Sequence, residues 1–473
     1  MEATTKRERP AGRRLTMTKA AVIPLFIAAF ITLGLTAGKK ILPGVSDNAV
    51  GKDSFVQPAA CRLVLAPLPG TNSIDDEIGR QQALILKGSS PANGLERLGW
   101  SFVKKARLSF DAGFYKLAEQ CAACMEARGL KGPDALLLRA HALQSLHRFA
   151  EAESVARALV SQRERPFDYG VLGDILIDQG KLREGAAAYQ RMVDLRPDLQ
   201  SYSRAAHVRW LTGDLAGAIE LMNLATRAAS PNDPEAAAWA FTRLALYQLQ
   251  TGATKQALDS CTAALSLQRD YAPAMLARSR TLLAMDRVAD AVVELKRAVN
   301  LNPLPEYKWT LADALISAGN RAEAAEIESQ IGERSAGEEP RTVSLYLATR
   351  GREVERAIRL ARQELANRND VFTHDAVAWA LAAAGRVTEA QQHITHALSE
   401  GTADPRLYLH AGVIAALNHD HKSARRWLAK AATAQQMLLP SERMQLAAWR
   451  ATPSEFNLRP IFEFCAKLKR TKE

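Results

Sequence analysis

The sequence lacks the short motifs on which phosphate, acyl-transfer or dinucleotide chemistry is built. It has no G-x-x-x-x-G-K-[ST], no G-x-S-x-G, no H-E-x-x-H, and no G-x-G-x-x-G behind a strand-like run. Each of those aims backbone N–H groups, a nucleophile or metal ligands at one point, so their absence speaks against an enzyme. Cysteine occupies only five of 473 positions. An odd, uneven set makes no disulfide framework. Cys121 and Cys124 have the spacing of a redox pair. They lack the strand and βαβ surroundings of one, and they read as small core residues of an Ala-rich helix. Charge of one sign is scarce too. The net charge is +11, and residues 1–19 supply +4 of it through six basic and two acidic side chains. The rest is mild and has no basic stripe interleaved with aromatics, so no nucleic acid partner is expected. Six of the nine histidines lie in the last 100 residues: His374, His393, His396, His410, His419 and His421. His393 and His396 share a helix face, but none of the six completes a recognised ligand spacing, so no metal site and no cofactor are expected.

Long hydrophobic runs are also few. The one that stands out is Ala20 to Ala37, which is uncharged over 18 residues and follows the basic segment 1–19. As a helix it spans about 27 Å, close to a hydrocarbon core of about 30 Å. The basic flank places the N-terminus in the cytoplasm. The expected arrangement is a single-pass anchor over 20–37 with the remainder extracytoplasmic, that is periplasmic. A cleaved signal segment would leave the chain periplasmic or secreted. Leu35-Thr36-Ala37 speaks against cleavage, because a bulky residue stands where a small one is preferred. Residues 38–92 read as a flexible tether broken by Pro43, Gly44, Gly51, Pro58, Pro67, Pro69 and Gly70. One helix fits within it, Asp75 to Lys87 with Ser73 as N-cap. Cys61 follows Ala59-Ala60, as in a lipoprotein cleavage site, but lies too far past the apolar run for that reading.

What the sequence does have is a period. A small residue recurs as Ala118, Ala152, Gly185, Ala218, Ala257, Ala291, Ala324, Ala357, Ala390 and Ala424, at steps of 34, 33, 33, 39, 34, 33, 33, 33 and 34. Glycine falls five residues before most of these, as Gly113, Gly180, Gly213, Gly252, Gly319 and Gly385. Proline punctuates the ends at Pro133, Pro166, Pro197, Pro303 and Pro405. The stretch from Tyr169 to Pro197 shows the unit best. Tyr169, Leu172, Gly173 and Leu176 fall on one short helix, Gly180 turns, and Gly185, Tyr189 and Met192 fall on a second that stops at Pro197.

That pattern resembles the tetratricopeptide repeat (TPR). The resemblance implies an all-α fold, an α-solenoid of about ten helix–turn–helix repeats over 93–436. A unit this short cannot bury its own apolar face, so neighbours must stack on it. The step of 39 carries Ser230-Pro231-Asn232-Asp233-Pro234, a longer loop. The eighth repeat lacks the aromatic signature and follows the polar stretch 332–340, where a joint between two subarrays would fall. Residues 437–473 are expected to cap the array with helices over Ser441–Trp449 and Pro460–Arg470.

The resemblance further implies binding through the concave face of the first helix of each repeat. Residues of those helices that share a face are Trp100, Arg107, His141, Asp174, His207, Trp210, Trp239, Arg280, Trp309, Asp313 and Trp379. A groove with aromatic anchors and mixed charge suits a protein partner or extended peptide. The set holds no Lys or Asn, which disfavours the carboxylate clamp of chaperone-binding TPRs. The expected function is a membrane-tethered scaffold for protein–protein interaction, not an enzyme. The alternative is a metal- or thiol-dependent accessory protein or enzyme that uses the C-terminal histidines or Cys121 and Cys124.

Overall fold

A computed structural model describes residues 58–88, 91–332 and 339–451. The expected anchor 20–37, the core of the expected joint and the second half of the expected cap lie outside them. The described residues form 23 α-helices and one 3-10 turn. Two helices come first, α1 (Ala59–Leu65) and α2 (Ser73–Leu86). Five pairs follow: α3/α4 (Pro91–Ser109, Gly113–Ala127), α5/α6 (Pro133–Ser145, Phe149–Gln162), α7/α8 (Pro166–Asp178, Leu182–Leu195), α9/α10 (Leu199–Leu211, Leu215–Arg227) and α11/α12 (Pro234–Gln250, Thr254–Leu267). Five more continue the series: α13/α14 (Ala272–Ala284, Val288–Leu301), α15/α16 (Pro305–Ser317, Arg321–Ser329), α17/α18 (Pro340–Arg350, Val354–Asn367), α19/α20 (Val371–Ala383, Val387–Ala397) and α21/α22 (Pro405–Leu417, His421–Ala432). The 3-10 turn Gln435–Met437 and α23 (Pro440–Ala451) end the described chain.

The recurring small residue is the fourth residue of the second helix in nine of the ten pairs. All ten positions are buried. A side chain larger than a methyl at that level would push the paired helices apart. Gly173 serves the same approach from the first helix, since a Cβ there would lie 2.7 Å from the Tyr189 ring. The turn slot five residues before the small residue takes the left-handed conformation at Gly180, Gly213, Gly252, Gly319 and Gly385. His147, Asp286 and His419 fill the same slot with positive φ. The extra length of the 39-residue step goes into α11, which has 17 residues where its neighbours have 13, and into the loop before it.

Successive first helices touch one another, as α5 with α7 and α11 with α13 do, so they line the inside of the curve. The second helices form the outer layer and bury a single stripe; α22 buries only Ala424, Leu428 and Ala431. Several inner helices are buried on nearly every side, whereas α3 and α5 at the start of the array keep an accessible face. In α7 each residue from Gly170 to Asp178 is buried, and in α19 each from Asp375 to Ala382. An inner helix facing an open groove would keep one solvated face. Helices α7 and α19 do not, because the array closes on itself.

The closure has a register. The turns within the third, fourth and fifth repeats meet the loops that precede α19, α21 and α23. Arg368 pairs with Asp178 at 3.5 Å. Thr402 donates its hydroxyl to the Leu211 carbonyl at 2.8 Å, and the Gln250 amide donates to the Ala403 carbonyl. Gln436 donates to the Leu249 and Gln250 carbonyls at 3.1 and 2.8 Å. Further along, Arg443 donates to the Leu283 carbonyl at 3.2 Å, and the Ser441 N–H to Asp313 at 2.9 Å. A second coil of repeats thus rests on the first.

Residues 58–88, expected as part of a tether, pack on the first repeat instead. Cys61 is joined to Cys124 of α4 by a disulfide. Gln82 of α2 donates to the Val64 and Ala66 carbonyls at 2.9 and 2.8 Å. Helix α2 starts at Ser73, two residues before the expected start at Asp75, with Asn72 rather than Ser73 as its N-cap. The eighth repeat forms a regular pair, and α23 covers the end of the array with Leu446 and Trp449 buried.

Candidate partner-binding site on the inner helices

Of the eleven residues assigned to the inner face, six are buried and engaged by the chain itself: Asp174, His207, Trp210, Trp309, Asp313 and Trp379. Asp174 of α7 accepts two hydrogen bonds from Arg204 of α9, at 2.6 and 2.9 Å, and one from the Tyr189 hydroxyl. His207 meets the Tyr247 hydroxyl at 2.8 Å and the Arg243 guanidinium at 3.1 Å. Burial first, and Arg243 second, push its pKa well below the ordinary value, so the ring is neutral. Trp210 stacks on Phe372 with centroids 5.8 Å apart and donates to Gln250 at 2.7 Å. That stack crosses between the coils.

Trp309 packs edge-on against Tyr346 and under the Arg406 guanidinium. Arg406 is held in turn by Glu442 of α23 at 2.6 Å. Asp313 binds Arg350 at 2.6 Å with both side chains nearly sealed from solvent. Trp379 stacks on His410 with centroids 4.0 Å apart, and His410 bonds Asp375 at 2.8 Å. Apart from Arg406 over Trp309, which spans nearly three repeats, these pairs join residues about one repeat apart in sequence. Arg204, Arg243, Tyr247, Arg350, Asp375, His410, Arg406 and Glu442 were not foreseen. The signal for several of them is an opposite charge about one repeat further along on the next inner helix.

The other five remain partly accessible. Arg280 pairs with Glu306 at 2.7 Å. Arg107, at the end of α3, reaches across the curve to Glu235 at the start of α11, at 2.7 Å. Trp239 is half-buried against Ala238 and Tyr271. Trp100 and His141 come together with Phe167 on three successive inner helices. Trp100 lies 5.4 Å from His141 and 6.0 Å from Phe167, and His141 lies 6.3 Å from Phe167, all between ring centroids. All three rings are half-buried. The His141 Nδ1 is buried with no hydrogen-bond partner. Burial, with Arg107 and Arg204 adding to it, holds that imidazole down at about 3, so it is neutral and presents a donor or acceptor only.

The thiol alternative meets a direct obstacle. Cys124 is committed to Cys61, and Cys121 is buried with its thiol pushed far above the ordinary value by burial. Cys121 and Cys124 therefore do not form a redox pair. Among the described residues no group of three or more His, Cys, Asp or Glu is placed to hold a metal ion. His393 and His396 gather instead around His374, with ring centroids 5.2 and 4.9 Å from it. Among the described residues no helix is long and apolar enough to cross a membrane.

Paired helices, a repeated buried small residue, a left-handed turn slot and inner helices in mutual contact define an all-α solenoid of TPR-type helix–turn–helix repeats. No protein-family model matches the chain. No curated protein matches it either. Among solved structures it is similar to a tetratricopeptide repeat protein from Parabacteroides merdae, at 18% identity and a TM-score of 0.30, over 55% of this chain and 98% of that one. It is also similar to the human IFIT1 dimer with PPP-AAAA, at 13% identity and a TM-score of 0.43, over 80% of this chain and 94% of that one.

Proposed function

We propose that the chain is a membrane-tethered scaffold that works outside the cytoplasm and binds a protein or extended peptide. The binding region is the inner-helix face of the first three repeats, around Trp100, His141 and Phe167, with Arg107 at its edge. The observation that carries this reading is the group of three half-buried rings beside a buried imidazole nitrogen left without a partner. Aromatic anchors on a pre-formed surface lose little conformational freedom on binding. An unpaired buried polar atom costs about 1–3 kcal/mol, which a partner's donor or acceptor would recover. Among the inner-face residues, this group is the least absorbed by contacts between the coils.

The Cys61–Cys124 bond supports the extracytoplasmic placement, since such bonds persist in oxidising compartments. It lies 24 residues beyond Ala37, on the side that the basic N-terminus would send across the membrane. Recognition rather than catalysis fits an array whose charged residues are spent on each other.

A photo-crosslinking residue in place of Trp100 or Phe167, in the full-length chain in cells, tests the site. The comparison position is Val293 on the outer helix α14, which is 65% exposed. A discrete adduct from the inner positions that is absent at Val293 is the expected outcome. Adducts from Val293 alone would move the site to the outer layer. A reporter active only outside the cytoplasm, fused after Glu473, tests the placement.

A further inference from the structure

The contact between the two coils is narrow and mostly polar. Thr402 and Gln436 donate to the carbonyl ends of α9 and α11, Gln250 of α11 donates back to the Ala403 carbonyl, Arg368 reaches Asp178, and one aromatic stack, Trp210 on Phe372, crosses with Val371 beside it. Apart from Met437, which packs on the fifth-repeat cluster, each coil otherwise keeps its own apolar core. One continuous cluster runs from Trp309 to Trp449, and separate clusters hold the second to fifth repeats. The ion pair in the contact is imperfect. Arg368 and Asp178 are both nearly sealed from solvent and stand 3.5 Å apart. The Arg368 Nε and the Asp178 Oδ1 are buried without a hydrogen bond. Buried charge in poor geometry works against the closed arrangement, because its desolvation is not fully returned.

We propose that this contact is a latch. Closed, it covers the inner helices of the third to fifth repeats; it opens and recloses as a unit while the helix pairs on either side stay folded. Opening separates loops from turns and breaks side-chain-to-carbonyl bonds that water replaces. No helix has to unwind, and the apolar contacts given up are few: the Trp210–Phe372 stack, Val371 and Met437. Local openings of this kind belong to the low end of the stability range within a protein. The inner-face residues it uncovers, Trp210, His207 and Arg243 first, then become accessible.

Two glycines separate the latch from the turn that carries it. Gly180 and Gly319 occupy the same turn slot with φ of 72° and 85°. A Cβ at Gly180 would run into the Asn369 carbonyl across the contact, whereas a Cβ at Gly319 would meet nothing within 4 Å. Gly180→Ala and Gly319→Ala therefore impose the same backbone strain, and only the first presses on the latch. The reporter is Thr402→Cys in a Cys465→Ser background, because Thr402 is 1% exposed and bonded across the contact. In the full-length chain, maleimide labelling at that thiol should be slow, relative to the denatured chain, and insensitive to urea below the unfolding transition. Gly180→Ala should accelerate it by at least about tenfold over Gly319→Ala, with equal melting midpoints for the two. Labelling as fast as in the denatured chain, a rate that climbs with urea as global unfolding does, or equal rates in the two glycine variants would each overturn the proposal.

Discussion

Cysteine 61 offers the sharpest perturbation. Its bond to Cys124 closes a loop of 63 residues, and loop-closure entropy assigns such a cross-link about 4 kcal/mol. What the bond holds is small. Helix α1 has seven residues, no side-chain N-cap and no acidic residue in its first turn. A helix of that length is not stable alone. Its remaining ties are the burial of Val64 and Leu65 and the two hydrogen bonds from Gln82. Cys61→Ala should therefore release α1 while leaving the repeats intact. Hydrogen exchange by mass spectrometry should show faster exchange over 59–65 and into α2, with α7 to α22 unchanged. Wild-type protein under reductant should behave the same way. Alkylation of the denatured, unreduced chain should label Cys121, Cys261 and Cys465, and reach Cys61 and Cys124 only after reduction. Unchanged protection of α1 in both the variant and the reduced protein would refute the idea that a covalent staple, rather than packing, holds this segment.

Further outcomes follow from the same geometry. Arg350→Ala takes the shared guanidinium from the nearly sealed Asp313 and Glu328, leaving them only the Ser441 N–H and the more exposed Arg352, and should cost about 3 kcal/mol in urea unfolding. Arg157→Ala breaks a pair whose side chains are 47% and 55% exposed and should cost less than about 1 kcal/mol. His419→Gly relieves a left-handed residue in the last turn and should stabilise by about 0.5–1 kcal/mol, where His419→Ala should not. Burial, then His393 and His396, hold the His374 imidazole down at about 4 from its ordinary 6.5, with Asp370 opposing. The folded chain thus keeps the ring neutral where the unfolded chain takes a proton. This stability is complete above pH 6.5 and is lost as pH falls through about 4, by about 1–2 kcal/mol after allowance for the ring's half exposure. Urea midpoints at pH 7.5 and 4.5, in wild type and His374→Gln, would measure it.

The parts legible in the sequence were those that repeat locally. Ala118 to Ala424 announced the pairs because every pair needs a small buried residue at the same level. Gly180 and its counterparts announced the turns because left-handed backbone favours glycine. Trp100 and His141 were placed on one face and do meet, with Phe167 beside both. The superhelix itself was not legible. Its pitch is the sum of small rotations between repeats, and no period of residue types states where the second coil will land. The inner-face reading therefore took Trp309 and Trp379 as open to solvent, although Arg406 and His410 cover them. Cys61 was obscured by its surroundings, a Pro- and Gly-rich stretch that reads as a tether, and by its distance from its partner.

The bonds from Thr402, Gln436 and Ser441 back to the fourth, fifth and seventh repeats have a consequence for how the chain comes apart. An open solenoid frays from its ends, and losing a terminal repeat weakens only its neighbour. In this chain the ninth and tenth repeats and α23 are braces for the middle. A truncation after residue 400 would remove contacts from repeats some 150 residues upstream of the cut. Folding inherits the same topology. The helix pairs can form from nearby residues, but the final closure must wait for the C-terminal repeats to be made, so the last step is long in range and slow.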